Sequence, residues 1–244
     1  MARKRARQQQ PLRFRGAPVG LESFAPAERV APTGATVRIP AVAELAPLAL
    51  EASPVAGDAA YLRLSLPQST PPGTYEGVLH AEEGDVPVVA EVEEYPSLQL
   101  APSQLQLSAE VGGEAEAHLT ALNDGNVPLE IGRTHAFGLF DVVGAERGIR
   151  AAFTDDVDQG RQRLDRLVDE LAASHGGLAR VRVTAGDGVL DPGDVRELRC
   201  VFRFSDDLEP GHTYSGTWPL HTLRYYVRVS VAAAREKTRR RRAG

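Results

Sequence analysis

The sequence predicts a mainly β protein of two tandem antiparallel β-sandwiches, the second with one inserted amphipathic α-helix, flanked by basic disordered tails. Three observations predict it. Short stretches alternate apolar and polar residues with period two, the mark of strands with one buried face. Gly, Pro, Asn and Asp punctuate them at intervals of roughly ten residues, as in sandwiches. One motif, PPGTYEG (Pro71–Gly77), also returns in altered form as PGHTYSG (Pro210–Gly216).

The alternation assigns faces. In YLRLSLP, Leu62, Leu64 and Leu66 point one way while Arg63 and Ser65 point the other. In LRCVFRF, Leu198, Cys200, Phe202 and Phe204 share a face, with Arg199 and Arg203 opposite. YYVRVSV groups Tyr225, Val227, Val229 and Val231, and RVRV places Val181 and Val183 together. One segment departs from this period. From about residue 155 to 175, Leu164, Leu167, Val168 and Leu171 fall at helical spacing, acids precede them, and Gly176-Gly177 provides the stop. Such a helix is expected to lay its apolar stripe on a sheet edge or face.

The repeat sets the domain count. YLRLSLPQSTPPGTYEGVL and LRCVFRFSDDLEPGHTYSGTW share an alternating strand, a polar turn, Pro-Gly, tyrosine, glycine and a further strand. Tyr75 and Tyr214 lie 139 positions apart, too far for one sandwich and suited to a second domain enlarged by a helix. The expected division is a basic tail at 1–16, a sandwich at 17–96, a second sandwich at 97–233 and a basic tail at 234–244.

The repeated motif resembles the tyrosine corner of immunoglobulin-like (Ig-like) sandwiches. There a tyrosine near the start of the sixth strand bonds back to the backbone just upstream. The resemblance implies structural roles for Tyr75 and Gly77, and for Tyr214 and Gly216. The glycines stand where antibody domains place their second core cysteine. A further stretch, SLQLAPSQLQLSAEVGGEAEAHLTALNDGNVPLEI, resembles the opening of ASH/MSP-type Ig-like domains, with a turn at Gly112-Gly113 and an Asn123-Asp124-Gly125-Asn126 turn. That likeness implies that Leu129 and Ile131 enter a core. It also implies an adaptor or scaffold role without catalytic residues.

The residues point away from catalysis. Six histidines are scattered with no HxH or HxxxH pairing, so no metal ligand set is expected. Asp156, Asp158 and Gly160 read as a fragment of a calcium loop, but Leu167 occupies the place of its bidentate glutamate. No nucleophile elbow, phosphate loop or dinucleotide fingerprint occurs. No cofactor is expected. Trp218, beside Pro219, reads as a core anchor, with a partner contact as the alternative.

Charge is strongly segregated. The chain has a formal net charge of -5, yet its two tails hold 12 of the 28 basic residues and 1 of the 33 acidic ones. Arg3, Lys4, Arg5, Arg7, Arg239, Arg240, Arg241 and Arg242 are therefore candidate contacts for an anionic partner, against an acidic body. The expected function is a non-catalytic structural or adaptor component of a multi-protein, bacterial-type assembly, through protein partners or self-assembly. Two alternatives are a carbohydrate or cell-surface-polymer binding module and nucleic-acid attachment through the tails. QQQP follows the basic start where a signal peptide would place its apolar core, so a cytoplasmic location is expected. No stretch has the apolar length of a membrane helix.

Overall fold

Alternation becomes strand pairing in the computed structural model, which describes residues 10–26, 36–42, 47–55, 59–81, 84–144, 146, 149–150 and 160–233. Strands dominate it, and the chain divides into two units. Met1–Ser97, Asn123–Leu129 and Asp191–Asp194 form the first; Leu98–Leu122, Glu130–Leu190 and Val195–Gly244 form the second.

The first unit contains β1 (Leu12–Gly16), β2 (Leu21–Pro26), β3 (Thr36–Arg38), β4 (Leu48–Pro54), β5 (Ala59–Leu64), β6 (Gly73–Ala81) and β7 (Gly84–Val92). Their spatial order is β1-β2-β5-β4-β3-β6-β7, and the ladder closes. Counted along the chain, this is the 1-2-5-4 and 3-6-7 order of a seven-stranded Ig sandwich. The two sheets of this sandwich are joined at both edges. β1 pairs with β2 antiparallel and with β7 in parallel, and β3 pairs with both β4 and β6. Phe14, Leu21, Val37, Ile39, Leu62 and Leu79 are fully buried inside.

The second unit contains β8 (Leu98–Ala101), β9 (Gln104–Ala109), β10 (Glu114–Asn123), β11 (Leu129–Ile131), β12 (Thr134–Asp141), β13 (His175–Ala185), β14 (Gly188–Leu190), β15 (Val195–Arg203), β16 (Thr213–Leu220) and β17 (Leu223–Val231). β11 and β14 pair with each other, and the other eight run β8-β10-β15-β13-β12-β16-β17-β9. If β8 and β9 are counted as two halves of a first strand, the order is again 1-2-5-4-3-6-7. The repeat seen in the sequence is thus a repeat of strand order. Leu129 and Ile131 are buried.

Helix α1 (Gly160–Ala173) lies in the chain between β12 and β13. Its apolar stripe does not do what the spacing predicts. Leu164, Val168 and Leu171 are exposed and Leu167 is half-buried, so the stripe is not covered by a sheet. The acids Asp155, Asp156 and Asp158, expected to cap the helix, lie outside the described residues.

Two local features hold these ladders together. The first is shared by both units. A Cβ on Gly77 of β6 would sit 2.5 Å from the Arg38 carbonyl oxygen and 2.7 Å from Ile39. A Cβ on Gly216 of β16 would sit 2.5 Å from the Gly138 carbonyl oxygen and 2.7 Å from Phe137. In each unit the sixth strand therefore approaches the third too closely for any side chain. The second feature is Asn126, buried within the first unit. Its Oδ1 accepts from the Tyr95 N–H at 2.6 Å, and its Nδ2 donates to the Thr70 carbonyl at 3.1 Å and the Glu93 carbonyl at 2.9 Å. Its own N–H donates to the Tyr95 carbonyl at 3.0 Å.

Gly216→Ala should destabilise the fold by about 1–3 kcal/mol, the cost of overpacking against backbone that cannot give way; a denaturant midpoint unchanged from the parent would refute the close approach. Asn126→Ala strands one buried and two part-buried backbone groups and should cost about 2–4 kcal/mol. Urea unfolding measures it, and a loss below about 1 kcal/mol would show that the amide is dispensable.

Candidate functional site

The residues singled out by the repeat are the two corner tyrosines. Tyr75, half-buried, donates its hydroxyl to the Pro71 carbonyl, four residues back, at 2.8 Å. Tyr214, buried, instead accepts from the Glu209 N–H, five residues back, at 3.0 Å. The longer second turn brings an N–H rather than a carbonyl to the ring, so one corner is closed by a donor and the other by an acceptor. Burial pushes the Tyr214 phenol above its ordinary range, against the lowering effect of the Glu209 N–H.

Trp218 as a partner contact is corrected by its burial: 0% of it is exposed. Phe202, Tyr225 and His135 surround it edge-on, with ring centroids 5.5, 6.3 and 5.4 Å away. Among the described residues its Nε1–H finds no conventional acceptor. The tail residues Arg3, Lys4, Arg5, Arg7 and Arg239–Arg242 lie outside the described residues. Arg13 and Arg15, the other basic residues of the N-terminal segment, pair on the first unit with Glu91 at 2.9 Å and Glu93 at 2.6 Å.

The most distinctive surface of the second unit is the outer face of β12, β13 and β15. β13 turns Leu178, Arg180 and Arg182 outward; β15 turns Arg199, Val201 and Arg203 outward. Register places Arg180 directly opposite Arg203, and Arg182 opposite Val201. Like charges facing each other across a ladder destabilise it. Among the described residues no carboxylate forms an ion pair with Arg180, Arg182, Arg199 or Arg203. Arg180, Arg182 and Arg203, together with Glu114, Thr134, Ala136 and Val201, line an open depression of about 590 Å³. A second depression of about 490 Å³ shares Arg180 and Arg203 and reaches Leu178, His175, Asp206 and Asp207. Phe140 and Leu178, 47% and 52% exposed, continue the face along β12 and β13. In chemical terms it offers fixed positive forks beside bare apolar side chains.

A further polar cluster lies at the end of β12. His212 Nδ1 meets Asp141 Oδ2 at 2.8 Å, and its Nε2 lies 3.4 Å from Glu209 Oε2. Burial raises the Asp141 carboxyl, but the bonds from His212 and from the Val143 and Gly144 N–H groups outweigh it and hold the group below its ordinary value. With both imidazole nitrogens facing carboxylates, His212 has no nucleophile to activate. Among the described residues no three His, Cys, Asp or Glu side chains converge as metal ligands, and no helix is long and apolar enough to cross a membrane.

Sequence reasoning put Arg199 and Arg203 on an outer face but did not bring them to the arginines of RVRV, because that meeting depends on strand register. It also left His212 unconnected to Asp141, which lies far away in the chain.

No protein-family model matches the chain, and no curated protein sequence matches it. Solved structures similar to it include a Porphyromonas gingivalis W83 protein of unknown function, at 13% identity over 91% of this chain and 97% of that one, with a TM-score of 0.26. They also include the ASH/PapD-like domain 7 of human CEP192, at 12% identity over 56% and 86%, with a TM-score of 0.28. An I-band fragment of titin matches at 7% identity over 92% and 63%, with a TM-score of 0.35. Ig-like domains stand among these neighbours. The Ig-like character of the chain rests on its own strand order and its paired corners.

Burial pushes the Cys200 thiol to about 11 and the Tyr225 phenol to about 12. Both are raised in the folded state, so the stability they contribute is whole below their unfolded values and is lost as pH climbs through the folded ones. The melting temperature should therefore decline from about pH 9 upward. At pH 8 a thiol reagent should label Cys200 far more slowly in native than in urea-unfolded protein; equal rates would contradict the buried thiol.

Proposed function

We propose that the chain is a non-catalytic adaptor of a multi-protein assembly, whose two Ig-like units work in tandem, and whose second unit receives a protein partner on the face of β12, β13 and β15. One observation carries this reading: Arg180 and Arg203 face each other without an ion pair to any described carboxylate, Glu114 across the ladder from Arg203 included, beside Arg182 and the exposed Phe140 and Leu178. Arginine next to aromatic and aliphatic anchors is the composition of interface centres. A structural protein gains nothing by holding two cations together unless something anionic joins them. The basic tails extend the same chemistry by docking on acidic surfaces of neighbours.

A second reading, carbohydrate binding, is favoured by a separate feature of the first unit. Phe24 and Tyr61 lie side by side across β2 and β5, Phe24 69% exposed, with ring centroids 5.5 Å apart. Their planes are inclined by 56°, which breaks up the flat platform that a sugar ring stacks on. The adaptor reading is therefore preferred.

Affinity purification from the native host tests both. The full chain should recover a defined set of proteins, and Arg180→Glu/Arg203→Glu should lose them while staying folded by circular dichroism, at a melting temperature lowered by a few degrees because the new carboxylates face each other and Glu114 across the ladder. Recovery that is indifferent to the substitution, or enrichment on polysaccharide in place of protein, would refute the adaptor reading.

A further inference from the structure

The chemistry of the arginine face narrows what it takes, granted that it is a docking face. We infer that its occupant is a short, extended, glutamate- or aspartate-bearing protein segment with an apolar side chain next to its acids. Arg180 and Arg203 are direct cross-strand neighbours, so their side chains start about 5 Å apart. Two planar guanidinium forks that close can share one carboxylate or hold two adjacent ones, with geometry that an ammonium would not supply. Arg182 stands two residues along β13 from Arg180, about 7 Å away, in line for the next acid of an extended chain. In the other direction Leu178 is two residues from Arg180, and Gly138 faces Leu178 across the ladder. A Cβ on Gly138 would lie 3.3 Å from the Phe140 ring, so Phe140, 47% exposed, lies over the glycine beside Leu178. A ligand laid along β13 thus meets cations first and apolar side chains next.

The border of the face sets its length. Glu114 pairs with Arg203 on the β10 side, Glu116 pairs with Val201, and Asp206 and Asp207 line the far end of the second depression. A long polyanion such as a nucleic acid would run onto these carboxylates. A short segment with two or three acids, laid along β13, meets fewer of them. The same border disfavours a flat anionic membrane, which could not avoid Glu114 and Glu116.

The probe is a fluorescein-labelled octapeptide containing three glutamates followed by leucine and phenylalanine, read by anisotropy with the full-length protein. The comparisons are its glutamine counterpart, a single-stranded oligonucleotide of equal charge, and anionic vesicles. The acidic peptide should bind with a Kd of about 10–100 μM, weakening as salt rises. The glutamine peptide should bind at least about tenfold more weakly. Arg203→Glu is the decisive variant. It places a carboxylate opposite both Arg180 and Glu114, so one favourable and one unfavourable cross-strand pair offset each other and the melting temperature should stay close to the parent's, while peptide affinity falls at least about tenfold. Arg180→Lys/Arg203→Lys keeps the charge but removes the forks and should weaken the peptide by about threefold to tenfold. Peptide binding untouched by Arg203→Glu would assign it to the basic tails and overturn the inference, as would stronger binding of the oligonucleotide or the vesicles. If the host proteins are lost with Arg180→Glu/Arg203→Glu while the peptide never binds, the adaptor reading stands and only this inference falls.

Discussion

In both units the sixth strand has to lie against the third with no side chain between them. Gly77 and Gly216 meet that requirement, and the rest of each ladder is arranged around it. Two residues before each glycine a tyrosine ties the strand to the turn it has just left, through Pro71 in one unit and Glu209 in the other. Two residues after each glycine stands a fully buried core residue, Leu79 or Trp218. The spacing reflects the period of a strand, since residues two apart face the same way. Corner, close approach and core anchor are thus three consecutive inward positions of one strand. A change at the middle one displaces the other two.

The outward positions of the same sheets obey a different logic. In the first unit, Arg13 and Arg15 are answered by Glu91 and Glu93 across neighbouring strands, the ordinary way a solvated face neutralises itself. In the second unit, Arg133 is answered by Asp187 at 2.8 Å. Arg180 and Arg203 are not answered, although Glu114 stands across the ladder from Arg203. The contrast between these faces, in a chain of formal net charge -5, is what separates the β12–β13–β15 surface from a merely solvated one.

Much of the fold was legible because period-two alternation reports burial directly. Leu62, Leu64, Leu198, Cys200, Phe202, Val227 and Val229, assigned inward from their spacing, are all buried. The helical spacing coincides with α1 (Gly160–Ala173), but periodicity alone did not reveal that Leu164, Val168 and Leu171 stay exposed. The arginine face was legible only in halves. RVRV and LRCVFRF each turn their arginines outward, yet nothing local says that β13 and β15 are neighbours or that Arg180 meets Arg203. Register is a long-range property, set by the whole ladder. The Asp141–His212 pair was hidden for the same reason.

Asn126 has a consequence in biosynthesis. The groups it satisfies, at Thr70, Glu93 and Tyr95, belong to chain made earlier, while the amide itself arrives about thirty residues after Tyr95. At about 5–20 residues per second, those groups wait a few seconds for their partner. The Asp191–Asp194 segment of the same unit comes later still. Water must serve them in the interval. The last segment of the first unit therefore becomes available only after Leu98–Leu122 and Glu130–Leu190 of the second unit have been translated.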